Sequence, residues 1–234
     1  MGQQLRNAKV LIVEDHPIVR AGLVGLLSQE PNLQICAEAE GTGEALRLVR
    51  TVRPDLVLID LILKNGSGLD LCRHLAALRP EPRLLVLSAH DENLYAERAL
   101  RAGAHGFVSK DADMAQLLEA MRAVLAGRIW LPPRIAERVV QRIALCEAPA
   151  RSPVELLSDR ELETFELLGQ GLSTHQIADR LHLSPKTIES HRERLKAKLN
   201  ARSSTDLVHR ALLWVLEERP AARAPENGHA VSPA

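Results

Sequence analysis

The sequence predicts an α/β fold followed by an all-α one: a doubly wound domain on a five-stranded parallel sheet, then a four-helix domain. Apolar strand-like runs recur at 9–14, 33–39, 55–60, 83–88 and 106–109. Short continuous apolar runs read as strands buried on both faces. Helical patterns lie between and after them, at 17–29, 43–52, 68–78, 93–102 and 113–126. Such alternation builds a parallel sheet covered by helices on both sides. From Leu157 to Glu218 the apolar spacing turns helical throughout, which predicts the second part.

Taken in order, the first run, Val10-Leu11-Ile12-Val13, closes on the acidic pair Glu14-Asp15. His16-Pro17 then suits a helix start, because proline at the first helical position gives up no needed hydrogen bond. The third run, Leu56-Val57-Leu58-Ile59, ends at Asp60; the fourth ends at Ser88; Lys110 follows the fifth, Gly106-Phe107-Val108-Ser109. In open parallel sheets ligands gather outside the carboxyl ends of the strands. Three carboxylates and one ammonium therefore converge on one crevice, suited to a divalent metal and a phosphoryl group. Each residue alone also reads as an ordinary solvated strand end, so the joint ordering carries the signal.

The first domain is placed at 8–126 and a partly helical linker at 127–153, with Ile135, Val139, Val140 and Ile143 at helical spacing. The linker ends in a hinge-like stretch, Ala148-Pro149-Ala150-Arg151-Ser152-Pro153. The second domain, 154–218, punctuates its helices. Ser158-x-x-Glu161 and Ser173-x-x-Gln176 are capping boxes, and Gly169 or Gly171 ends the first helix. The first carries Leu162, Phe165 and Leu168; the second carries Ile177, Ala178 and Leu181. Ser184-Pro185 caps a third helix, and a fourth runs from about Ser204 to Glu217. Two short helices, a tight turn and a basic helix make a helix-turn-helix arrangement. Residues 219–234, rich in Ala and Pro, read as a disordered tail.

The 234 residues are 46% apolar but only 2% aromatic, so Leu, Val, Ile and Ala must fill the cores. Formal charge is zero overall, which says nothing of a nucleic-acid or membrane partner. The main basic concentration runs from Ser184 to Arg202, where Lys186, Arg192, Arg194, Lys196, Lys198 and Arg202 outweigh Glu189 and Glu193. Cys36, Cys72 and Cys146 show no metal or redox spacing and read as idle thiols in a reducing compartment. No signal-peptide pattern opens the chain and no apolar stretch is long enough to span a bilayer, so a cytoplasmic location without membrane contact is expected.

Acid pair, Asp60, Ser88 and Lys110, in that order after successive strands, resemble the receiver domain of two-component response regulators. The resemblance implies that Asp60 is the phosphoacceptor, forming an acyl phosphate. It implies Mg²⁺ held by Glu14, Asp15, Asp60 and the backbone carbonyl of Ile62, all oxygen ligands suited to that hard ion. Lys110 and Ser88 would contact the phosphoryl group, and Phe107 would be the aromatic switch residue, turning inward as Ser88 moves. Lys64 stands where many relatives have proline, and Ile62 and His90 flank the site where relatives vary. Apolar Ile62 is expected to position an attacking water poorly and lengthen the phosphorylated lifetime. A dehalogenase-type hydrolase would need a second Asp two residues after the nucleophile; Ile62 stands there, and that reading fails. No enzyme activity is expected beyond the domain's own phosphorylation and dephosphorylation.

Leu157-Ser158-Asp159-Arg160-Glu161, Gly171-Leu172-Ser173, Gln176-Ile177-Ala178 and Ser184 to His191 resemble the LuxR-type helix-turn-helix domain. The whole chain is thereby identified as similar to NarL/FixJ-family response regulators. At about 100° per residue, Ile188, Leu195 and Leu199 share the third helix's packing face, with His191 and Arg192 at its edges. The opposite face would enter the major groove, with Glu189, Ser190 and Glu193 as base readers. Lys186, Thr187, Arg192, Arg194 and Lys198 are expected on phosphates. On the last helix, Val208, Ala211, Leu212 and Val215 are expected mostly inside, with Leu216 and Trp214 towards a dimer surface. The expectation is a phosphorylation-activated, DNA-binding transcriptional regulator. Its partners would be a histidine kinase, double-stranded DNA and, when phosphorylated, a second copy of itself. The alternative is a phosphorelay or interaction module whose helical domain binds a protein.

Overall fold

The computed structural model describes residues 7–63, 66–89, 92–144 and 153–218. Lys64, Asn65, His90, Cys146, the 148–152 part of the hinge and the 219–234 tail lie outside the described residues. Two compact units divide the chain: Met1–Glu155 with Asp179–Leu183, and Leu156–Ala178 with Ser184 onward.

The first unit holds five strands: β1 (Ala8–Val13), β2 (Leu33–Ala39), β3 (Leu56–Asp60), β4 (Arg83–Ser88) and β5 (Gly106–Ser109). All pairings are parallel and the spatial order is β2-β1-β3-β4-β5. The order reverses at β1, so the carboxyl ends of β1 and β3 flank the switch point where open α/β sheets bind ligands. Helices α1 (Pro17–Leu27), α2 (Thr42–Val52), α3 (Gly68–Ala76), α4 (Glu92–Arg101) and α5 (Met114–Leu125) connect and follow the strands. Every residue of β3 is buried, as a strand covered on both faces must be. Val10, Ile12, Leu56, Leu58, Leu85 and Val108 meet Leu117, Met121 and Val124 of α5 in one core. Each such side chain contributes about 1.5–3 kcal/mol on burial.

Two features go beyond the expected elements. Ile62–Leu63 pairs antiparallel with Gly66–Ser67, a small hairpin just past Asp60. Trp130 bridges Gly106: its carbonyl accepts from the Phe107 N–H at 3.1 Å, and its own N–H donates to the His105 carbonyl at 3.1 Å. Chain expected in the linker is thereby tied to the edge strand. Helix α6 (Pro133–Ala144) follows, with Ile135 buried and Val140 63% exposed, and it belongs to the first unit, which runs well past residue 126.

A 3₁₀ turn (Pro153–Leu156) leads into the helical part of the chain, α7 (Asp159–Gly169), α8 (Thr174–Leu181), α9 (Pro185–Leu199) and α10 (Ser204–Glu218), of which only the end of α8 falls outside the second unit. Both capping boxes form: Glu161 N–H to Ser158 Oγ with Ser158 N–H to Glu161 Oε2, and the same reciprocal pair between Ser173 and Gln176. Ser184 Oγ accepts from the Thr187 N–H at 3.1 Å, and Pro185 opens α9. Leu162, Phe165, Leu168, Ile177, Ala178 and Leu181 are buried as their spacing requires. The last helix is rotated from its expected setting. Leu207 is fully buried with Ala211 and Val215, whereas Leu212 is 43% exposed. Trp214 faces inward, its ring centroid 5.7 Å from that of Phe165. Val208 is half-buried, and Leu216 remains outward at 61% exposure.

Candidate functional site

Three chain segments build the crevice at the carboxyl edge of the sheet. The β1–α1 turn supplies Glu14 and Asp15, β3 supplies Asp60, and the residue after β5 supplies Lys110. Glu14 is 1% and Asp60 8% exposed, and Asp15 is half-buried. Lys110 Nζ donates to Glu14 Oε2 at 2.6 Å and lies 3.0 Å from Asp60 Oδ2. The Lys110 N–H donates to the Ser88 carbonyl at 2.7 Å, which fixes the lysine beside the fully buried Ser88. Phe107 is fully buried on β5, and Ile62, half-buried, opens the small hairpin two residues past Asp60.

The chain turns back sharply after Asp60. The Leu61 N–H continues the sheet ladder to the Leu87 carbonyl at 3.1 Å, and the Gly68 N–H donates to the Leu61 carbonyl at 2.8 Å. A Cβ at Gly68 would collide with the Asp60 carbonyl oxygen, so only glycine lets α3 start this close to the β3 end. Ser67 Oγ then caps α3 by accepting from the Leu69 N–H.

Electrostatics explains the crevice's chemistry. Burial pushes the Asp60 carboxyl up to about 7, against the pull of Lys110 and with help from Glu14 and Asp15. Burial also works against the Lys110 charge, but Asp60 and Glu14 outweigh it and hold the ammonium above its usual range. Three carboxylates face one ammonium in a largely desolvated place, a surplus of negative charge that a divalent cation would balance. The Mg²⁺ assignment fits on that ground. Ligand atoms of Glu14, Asp15 and His16 lie within 4.8 Å of one another. The sequence pattern marks His16 only as part of a helix start and not as a ligand; its backbone N–H donates to Glu14 Oε1 at 3.1 Å. An imidazole is the wrong donor for Mg²⁺, so the oxygen set remains the better fit. Arg20 carries no sequence signal either: a cation one turn into α1 reads as a surface residue until its partners are known.

On α9, Ile188, Leu195 and Leu199 are buried, and Lys186, Glu189, Ser190, Glu193 and Arg194 are exposed. Lys186 and Arg194 make no ion pair among the described residues. Two residues expected on phosphates are held within the unit. Arg192 Nη1 donates to Thr174 Oγ1 at 2.8 Å, and Lys198 Nζ donates to Glu161 Oε2 at 2.6 Å and to the Leu156 carbonyl at 3.4 Å. Burial works against ionised Glu161, but the bonds from Lys198 and Ser158 hold its carboxyl below the usual range. Thr187 Oγ1 pairs with Ser184 Oγ at 2.8 Å, Ser190 Oγ donates to the Lys186 carbonyl at 3.0 Å, and Glu193 pairs with Lys196 at 2.7 Å. His191 is half-buried, and burial, with Arg194 nearby, lowers its pKa.

A buried acid–lysine crevice on a doubly wound sheet, joined in one chain to a capped helix-turn-helix, defines a phosphoacceptor-type domain coupled to a nucleic-acid-binding type. Comparison with known proteins agrees. Residues 10–122 match the response regulator receiver domain, and residues 155–211 match the bacterial regulatory proteins of the luxR family. The DNA-binding transcriptional activator DevR/DosR of Mycobacterium tuberculosis is 38% identical over 197 residues, 84% of this chain and 90% of that one. A LuxR-family two-component response regulator from Aurantimonas sp. SI85-9A1 superposes with a TM-score of 0.55 at 38% identity, over 59% of this chain and 99% of that structure. The RcsB response regulator of Salmonella typhimurium, in a structure concerned with its DNA interaction, gives a TM-score of 0.63 at 25% identity, over 90% and 98% of the two chains. The chain belongs to the response regulators that join a receiver domain to a LuxR-type DNA-binding domain. Among the described residues no helix is long and apolar enough to cross a membrane.

Proposed function

We propose that this chain is a phosphorylation-switched transcriptional regulator acting in the cytoplasm, with Asp60 as phosphoacceptor and α9 as DNA-reading helix. The observation that carries the reading is the grip of Lys110 on both Asp60 and Glu14 at the switch point of the sheet. A histidine kinase would supply the phosphoryl group. An Asp60 carboxylate oxygen attacks phosphorus, the P–N bond to the kinase imidazole breaks, and an acyl phosphate forms. Glu14, Asp15, Asp60 and the Ile62 carbonyl would hold Mg²⁺, which when bound supplies charge neutralisation for the phosphoryl oxygens. Lys110 shares that neutralisation, and Ser88 donates to the phosphate. Phe107 is the residue through which the change at Ser88 reaches the α4–β5 side. The chain performs no chemistry beyond its own phosphorylation and loss of phosphate.

On α9, Glu189, Ser190 and Glu193 would read base edges, and Lys186, Thr187 and Arg194 would contact phosphates. Arg192 and Lys198 can add to these only by giving up their present partners. A two-fold dimer reading two half-sites follows from the few bases one short helix reaches. Leu212, Leu213 and Leu216, exposed on α10, are the candidate surface for that dimer. Capture of sheared genomic DNA with and without Mg²⁺ and beryllofluoride, followed by sequencing, tests the reading. A palindromic site enriched by beryllofluoride, and not so enriched with Asp60→Asn, supports it. Equal enrichment without beryllofluoride removes the receiver as switch, and no specific enrichment favours a helical unit that binds protein.

A further inference from the structure

Arg20 is a cation beside the acidic turn that does not neutralise it. Its Nη1 donates to the backbone carbonyl of Glu14 at 2.8 Å. Its other nitrogens reach Glu38, near the end of β2, at 3.3 Å, and Glu40, just beyond, at 3.0 Å. The Arg20 side chain is only 15% exposed. The guanidinium therefore meets the crevice through a neutral oxygen, while its charge is matched by two carboxylates outside it. Its ion pairs go to Glu38 and Glu40 and not to the carboxylates of Glu14 and Asp15. The β1–α1 turn is anchored from two sides, since the Glu14 N–H also donates to the Ala39 carbonyl at 3.0 Å.

Such an anchor answers a physical need. Glu14, Asp15 and Asp60 repel one another when no cation is bound, and a free turn would relax by swinging its carboxylates apart. Gathering them again would then weaken binding of the ion, as for any site that is not preorganised. Outer partners that orient metal ligands carry large effects for this reason. From these contacts we infer that Arg20 is a positioning residue for the Mg²⁺ site: it holds the Glu14–Asp15 turn in binding geometry while its own charge is taken up by Glu38 and Glu40. The inference rests on the reading of Glu14, Asp15 and Asp60 as the cation's ligands.

Positioning and simple charge make opposite demands. A cation acting only through its field would repel Mg²⁺, so removing it would tighten binding, and replacing it with another cation would change nothing. A positioning guanidinium spans three acceptors that a lysine ammonium, on a shorter and single-headed stem, cannot reach together. The experiment is calorimetric titration of the full-length protein with MgCl₂, for wild type, Arg20→Met and Arg20→Lys, with Glu14→Gln as ligand control. Thermal unfolding in the absence of Mg²⁺ checks that each variant is folded at the titration temperature. Both Arg20 variants should weaken Mg²⁺ binding by about tenfold. Tighter binding by Arg20→Met, or wild-type binding by Arg20→Lys, would overturn the inference. If Arg20→Met does not fold, the Arg20→Lys comparison decides. A lowered unfolding temperature with unchanged affinity assigns Arg20 to stability alone. Absence of Mg²⁺ binding by the wild type would instead overturn the metal-site reading, and this inference with it.

Discussion

Lys110 holds Asp60 and Glu14 at once, its Nζ lying 3.0 Å from Asp60 Oδ2 and 2.6 Å from Glu14 Oε2. The two carboxylates arrive from the end of β3 and from just beyond β1, adjacent strands whose parallel register pairs Ile59 with Val13. The ammonium is the charge that pairs with both of them in the buried crevice.

Replacing Lys110 with Met should therefore lower stability and raise cation affinity together. Breaking a fully buried pair costs about 3–5 kcal/mol. Lys110 keeps 21% of its side chain exposed, and Asp60 can take up a proton, so a loss of about 1–3 kcal/mol is expected for the metal-free chain. Urea unfolding at pH 8 with a chelator measures it. Mg²⁺ should restore much of the loss and should bind more tightly than to wild type, since a competing positive charge is gone. Weaker binding by Lys110→Met would contradict this account.

Asp60 also sets a pH dependence whose sign follows from its raised pKa. The folded, metal-free chain retains the Asp60 proton up to about 7, whereas the unfolded chain loses it near its ordinary value of 3.8. Between these values the folded state binds more protons, so this group's contribution to stability falls as pH rises and is fully lost above 7. At about 1.4 kcal/mol per pH unit the penalty amounts to a few kcal/mol. Asp60→Asn should accordingly raise the melting temperature in chelator at pH 8 and leave it almost unchanged at pH 4. An equal gain at both pH values would locate the effect in packing rather than charge.

The sheet and the side chains gathered at its carboxyl edge were legible because their signals are local. Strands β1, β3, β4 and β5 hold short apolar runs, and Asp60, Ser88 and Lys110 mark where three of those runs stop. The capping boxes at Ser158 and Ser173 likewise state their helices outright. What escaped the sequence depends on partners far along the chain. The Ile62–Leu63 hairpin is too short to carry a pattern, and the tie of Trp130 to Gly106 spans a whole helix. A helical wheel gives the exposed face of α9 but cannot tell that Thr174 and Glu161 claim Arg192 and Lys198. On α10 every position from Ala211 to Leu216 is apolar in type, and only the close approach of α7 decides that Leu207 rather than Leu212 goes inside.

That close approach gives a third prediction. A Cβ at Gly169 would collide with the Ala211 carbonyl oxygen and come within 2.6 Å of Val215 Cγ2. Backbone on a packed helix cannot yield as a side chain can, so Gly169→Ala should destabilise the second unit by about 1–3 kcal/mol or more through overpacking. Calorimetric scanning should find the helical unit melting earlier. Beryllofluoride binding at Asp60 should be unaffected at temperatures below that transition. An unchanged scan would mean that α7 and α10 separate at little cost.

Cations on α9 divide into free and engaged ones, and DNA affinity should divide them in the same way. Lys186 and Arg194 are exposed with no ion-pair partner among the described residues, whereas Lys198 is held by Glu161 and the Leu156 carbonyl. A cation that neutralises a DNA phosphate contributes close to one to the slope of log affinity against log salt. Lys186→Ala and Arg194→Ala should each flatten that slope by about one, with unfolding temperatures near wild type. Lys198→Ala should leave the slope intact and lower stability instead, because Glu161 loses the partner that offsets its burial. The loss should shrink on acidification. Glu161 has a folded pKa below its ordinary value, so its stabilising contribution is present above that ordinary value and disappears as pH falls through the folded one. A flattened salt slope for Lys198→Ala, at unchanged stability, would show that Lys198 exchanges Glu161 for phosphate on binding.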